Sequence, residues 1–138
     1  MADYAVIIMS KIGCDKSVFY STKQLASITN LNLPTVRRIL QQLITNKLVQ
    51  AKRGSLGGYF LLRDMSKISM AEVIEAIDGP IALTDCCADG VGTCSSINCD
   101  IHGYWNKINQ IVKDSLSAVT LYELVNTKHN QENKNYVR

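Results

Sequence analysis

Between Lys16 and Arg63 the sequence carries no Asp or Glu at all, and the whole 138-residue chain holds only two prolines, two histidines and one tryptophan. Few prolines, with 46% apolar and 20% charged residues, mark an ordered globular protein, because disordered chains are poorer in apolar residues and richer in charge. The only imidazoles are His102 and His129, and no phosphate-cradling glycine loop or paired carboxylate sits in a usable frame, so no enzyme constellation is present. Long apolar runs are missing too. The longest, Tyr4 to Met9, is far short of the roughly 20 residues a membrane-spanning helix needs, and no basic secretory-type flank precedes it. The chain is therefore expected in the cytoplasm, without a membrane partner, as one compact domain or one domain with an arm.

The missing acids give the charge a direction along the chain. The net charge is only +3, yet residues 1–63 hold nine Lys or Arg against two acids, residues 64–102 hold one against seven, and residues 103–138 hold five against three. A long acid-free basic segment suits a polyanion, because each cation set against a phosphate releases condensed counterions; an ordinary solvated face has the same charge.

Local pattern supplies the elements. Residues 4–12 read as a short buried helix, and Ser21 with Gln24 forms a capping box that opens a second helix carrying Leu25, Ala26 and Ile28. After a turn at Thr29 to Leu31, Asn32 caps a third helix with Pro34 in its first turn. Val36, Ile39, Leu40 and Leu43 form its inner face; Pro34, Arg38, Gln41 and Thr45 lie opposite, with Thr35, Arg37 and Gln42 on the flanks. Two short helices around a tight turn, the second polar and basic outside, make a helix-turn-helix. Leu48–Lys52 and Tyr59–Leu62 have strand character around a glycine-rich turn, which makes a wing with Lys52 and Arg53 at its base. Thr35, Arg37, Arg38, Gln41, Lys52 and Arg53 are the candidate contacts to double-stranded DNA.

Ser69 and Glu72 form another capping box, opening a helix with Met70, Val73, Ile74 and Ile77 inward and Gly79-Pro80 at its end. Further on, Trp105, Ile108, Val112, Leu116 and Val119 recur at three- and four-residue spacing along a helix of about five turns, with Ile111 beside the stripe. Such a stripe folds back or pairs with its copy in a second chain, and pairing suits a twofold operator. The expected fold is mainly α with a small β-hairpin: a winged helix-turn-helix domain over 1–80, a cysteine-rich loop over 81–102, a dimerisation helix and short segment over 103–125, and a disordered tail over 126–138.

Of five cysteines, Cys14 stands alone in apolar helical context and reads as a small buried residue. Cys86, Cys87, Cys94 and Cys99 crowd one aperiodic loop that ends at His102. Reduced thiols clustered beside an imidazole point to a metal or redox site. The wide gaps between them suit wrapping a cluster better than the short bite of a zinc pair.

Taken in order, the N-terminal DYA, the helix pair, the wing RGSLGGY, the segment EVIEAIDGP, the cysteine loop and the long helix followed by TLYELV resemble the iron–sulfur winged-helix regulators typified by IscR and NsrR. The similarity spans about residues 2–125 and is nearest to the branch that controls the SUF cluster-assembly operon. It implies a homodimer with one [2Fe-2S] cluster per subunit, whose presence or redox state alters affinity for operator DNA. By motif, Cys86, Cys94 and Cys99 take the thiolate positions and His102 the fourth. Cys87 duplicates the first ligand, Asp3 takes the place of an acidic ligand that some members supply from the partner chain, and the cysteine spacing departs from the even spacing of IscR. By the same mapping Arg37 and its neighbours take the reading positions and Arg53 the wing position. A structural zinc site or thiol switch in the same loop is the alternative, and an iron–sulfur electron carrier a third.

Overall fold

The computed structural model describes residues 1–84 and 101–127. Helix α1 (Ala2–Cys14) lays Ala5, Val6, Ile8, Met9 and Ile12 into the core. Helices α2 (Thr22–Thr29) and α3 (Leu33–Thr45) follow, joined by a turn in which Asn30 takes the left-handed conformation that its short polar side chain tolerates. Strands β1 (Val49–Lys52) and β2 (Gly58–Leu61) pair antiparallel, Val49 opposite Leu61 and Lys52 opposite Gly58. A 3-10 turn, Met65–Lys67, leads into α4 (Met70–Asp78), and α5 (His102–Ala118) follows the loop.

The caps form as the sequence indicates. The Ser21 hydroxyl accepts from the Gln24 amide while the Gln24 side chain accepts from that of Ser21, Asn32 accepts from Thr35 at 2.8 Å, and Ser69 and Glu72 repeat the reciprocal pair. The core sits where α1, α3 and α4 converge: Ile8, Met9, Ile39, Leu40, Leu43 and Val73 are all fully enclosed.

Two expectations change on α4 and α1. Ala71 and Ala76 join Val73 and Ile77 as buried residues of α4, while Met70 and Ile74 are only half-buried, Met70 still packing against the edge of the core. Cys14 is exposed rather than buried, since it lies two residues past Ile12 and so points away from the inward face of α1.

After α5 the chain returns to the core. The Met70 amide donates to Val119 at 2.8 Å and the Leu121 amide to Ile68 at 2.9 Å, a short antiparallel stitch that buries Leu121 completely. Residues 121–127 are helical, opened by a capping pair between Thr120 and Glu123, so positions 126 and 127 of the expected tail are ordered in this helix. Leu121→Ala should cost about 2–5 kcal/mol, the usual toll of an enclosed leucine with its cavity, read as a lower urea midpoint at unchanged slope.

Candidate nucleic-acid interface and metal centre

The outer face of α3 is polar and open. Arg37, Arg38 and Gln41 are exposed and Thr35 is half-buried beside its cap, while Val36, Ile39, Leu40 and Leu43 anchor the other side. The Gln42 amide, expected on the flank of the outer face, instead turns inward and donates to the Ile77 carbonyl at 3.1 Å. Asn46 does the same to Ala76 at 3.2 Å. These two side chains satisfy carbonyls at the C-terminus of α4, which have no partner within their own helix. The candidate reading helix is thereby fastened to α4.

The hairpin is equally well held. The Tyr59 amide donates to Tyr20 at 3.0 Å, adding a third strand-like contact, and the Phe19 and Phe60 rings meet edge to face at 5.7 Å. A side chain at Gly57 would collide with the Lys52 carbonyl, its Cβ coming within 2.0 Å, so the turn tolerates only glycine there. Lys52 and Arg53 are exposed at the base of this turn, within the sequence segment 16–63 that carries no acid.

Cys86, Cys87, Cys94 and Cys99 lie outside the described residues, and so does the His102 side chain, although its backbone opens α5. Asp3 is exposed on the first turn of α1, with the terminal ammonium 3.0 Å away. Among the described residues no group of three His, Cys, Asp or Glu converges on a site of metal size. What is described is the way into the loop. The Asn109 side chain accepts from the Leu83 amide at 3.0 Å and donates to the Ile81 carbonyl at 2.9 Å, clasping the loop's entry to α5 two turns beyond His102. Both ends of the loop therefore lie along the first half of one helix. No sequence pattern marks Asn109 or Gln42 for these tasks, because each partner is more than twenty-five residues away in the chain.

Helix α5 leans on α4 through Lys113, whose ammonium lies 2.8 Å from Glu75. Val112 and Leu116 are half-buried, whereas Trp105, Ile108 and Val119 of the expected stripe stay exposed, joined by Tyr104 and Ile111. At about 100° per residue Tyr104 and Ile111 flank the stripe on the side opposite Asn109 and Lys113. The open apolar arc is thus wider than the stripe and displaced away from the chain's own core. No helix among the described residues is long and apolar enough to cross a membrane.

Comparison with known proteins agrees with this architecture. A family profile described as Rrf2, iron-dependent transcriptional regulator, matches residues 1–127. The HTH-type transcriptional regulators IscR of Klebsiella pneumoniae (strain 342) and of Escherichia coli (strain K12 / DH10B) are each 36% identical over 99 residues, covering 71% of this chain and 60% of theirs. The match thus spans about three-fifths of the length of these relatives. In structure the chain is similar to CymR of B. subtilis, with a TM-score of 0.71 at 24% identity over 91% of this chain and 93% of that one. It is also similar to T. potens IscR, with a TM-score of 0.68 at 20% identity over 92% and 84%. These relatives are regulators and not enzymes, and the chain belongs to the Rrf2 family of iron-dependent transcriptional regulators.

Proposed function

We propose that this protein is a homodimeric regulator that binds double-stranded operator DNA through α3 and the wing and holds a [2Fe-2S] cluster in the loop before α5. The observation that carries the reading is the outer face of α3: Arg37, Arg38 and Gln41 stand clear of the fold in a segment without one carboxylate. Side chains so placed reach base edges in a major groove, while Lys52 and Arg53 of the wing suit phosphates and a narrow minor groove.

The donor set fits the cluster. Cys99, Cys94 and one of Cys86 or Cys87 supply soft thiolates, and His102, or Asp3 of the partner subunit, the fourth ligand. Bound there, the cluster supplies a charge that changes with occupancy and redox state. Loop geometry reaches α3 through this chain's own contacts: the Asn109 clasp ties the loop entry to α5, α5 packs on α4, and Gln42 and Asn46 tie the end of α4 to α3. Differential DNA affinity of the two loop states is all that regulation requires.

Anaerobically reconstituted protein should be brown and should shift operator DNA at about 0.15 M salt, where non-specific binding fades. Cys99→Ala should bleach it while leaving its circular dichroism intact. A colourless protein holding only stoichiometric zinc overturns the cluster, and an unbleached Cys99→Ala variant overturns that ligand. A thiol switch in the cysteine loop is the second reading, supported by the adjacent pair Cys86 and Cys87 and by the likeness to CymR, an oxidised form of which, from Staphylococcus aureus, is similar in structure with a TM-score of 0.65 at 22% identity. It predicts that peroxide changes DNA affinity in iron-free protein.

A further inference from the structure

A half-open cavity of about 710 Å³ lies between the end of α1, the wing and the C-terminal helical segment. That volume is within the range of small-molecule sites. Its walls are mostly apolar, with Ile12, Val18, Leu61, Met65, the Phe19 and Phe60 rings and Tyr122 among the lining residues. Three cations line it, Lys16, Lys52 and Arg63, against one acid, Asp64.

These charges are not equivalent. Arg63 is committed to Glu72 at 2.7 Å and to the Lys67 carbonyl at 3.2 Å. Lys16 pairs with Asp64, and this contact together with the Ser66 amide holds the Asp64 carboxyl well below the usual carboxylate range, so Asp64 faces Lys16 rather than Lys52. Lys52 differs: its ammonium stands 5.1 Å over the Phe19 ring and has no carboxylate partner among the described residues. An apolar hollow with one uncommitted cation at its edge is complementary to a small molecule with a hydrocarbon body and a single negative head. A polyphosphate finds too little charge here, and a neutral hydrocarbon leaves Lys52 unused.

We infer that this cavity binds a small amphipathic carboxylate, its ring or short acyl chain against Val18, Phe60 and Leu61 and its carboxylate on Lys52. Lys52 is also a wing residue placed to meet a DNA phosphate, so an occupied cavity and a bound operator compete for one ammonium group. The second half of this inference rests on the DNA-binding reading; the first does not.

The test uses the full chain and 2-naphthoate as probe, titrated calorimetrically without DNA beside its neutral analogue 2-naphthalenemethanol. Saturable binding of one naphthoate per chain is expected, with the neutral analogue weaker by about tenfold, as loss of one charge-assisted contact implies. Val18→Glu and Leu62→Glu each place a carboxylate at an exposed position on the cavity wall, and each should weaken naphthoate by about tenfold or more while leaving the circular dichroism spectrum unchanged. Absence of saturable binding, equal affinity for the two probes, or naphthoate binding unaffected in both variants overturns the site. Saturating naphthoate should then weaken operator binding and lower its salt slope by about one per chain. Naphthoate bound in the cavity with operator affinity unchanged overturns the competition. Failure of the ligand-free protein to bind DNA counts against the earlier reading and leaves the calorimetry standing.

Discussion

Trp105→Glu combined with Ile108→Glu should turn the proposed dimer into a monomer, with the dissociation constant rising on the order of a thousandfold, about 4 kcal/mol. Both side chains lie in the open apolar arc of α5, which Tyr104 and Ile111 widen and the chain's own core leaves uncovered. Burying a large apolar side chain contributes about 1.5–3 kcal/mol, and a glutamate put in its place must be desolvated as well. In a twofold interface each substitution acts twice. Sedimentation equilibrium reads the result directly, and operator binding should fall with it because two half-sites are then met by separate chains. A double variant that sediments as a dimer places the interface on another surface.

Arg37→Ala should weaken operator binding by thirtyfold or more and relax base preference at one position in each half-site. A bidentate arginine–guanine contact discriminates by about 1–3 kcal/mol, and two half-sites double it to about 2–6 kcal/mol. The substitution should spare the fold, since Arg37 is exposed on a helix whose opposite face carries the core contacts. Lys52→Ala gives the contrasting signature: specific and non-specific binding weaken together, and the salt slope drops by about one per chain. Gel shifts over a salt series with operator and scrambled duplexes separate the two. Equal losses on both duplexes for Arg37→Ala would remove it from base reading.

What the sequence makes legible is what short-range chemistry decides. The caps at Ser21, Asn32 and Ser69 each depend on partners three residues away, and the buried face of α3 on spacing alone; all appear in the fold as read. Gln42 escapes such a reading because a glutamine at the edge of a polar face looks solvated until a helix end thirty-five residues away is brought beneath it. Cys14 misleads in the opposite direction: apolar neighbours suggest burial, whereas its angular offset from Ile12 turns it outward at the last turn of α1. The candidate cysteine ligands sit in an aperiodic stretch, where neither helix nor strand period constrains placement, and only residue chemistry and family resemblance speak for them.

The fastening of α3 by Gln42 and Asn46 has a practical meaning for altering specificity. The side chains that hold the helix in place and those that face outward do not overlap, so Arg37, Arg38 and Gln41 form an exchangeable set. On the proposed reading, an operator preference borrowed from another family member is best transplanted as those exposed positions alone. Grafting the whole helix would strip two carbonyls of α4 of their donors and loosen the borrowed helix from α4, the route by which the proposed loop signal reaches it.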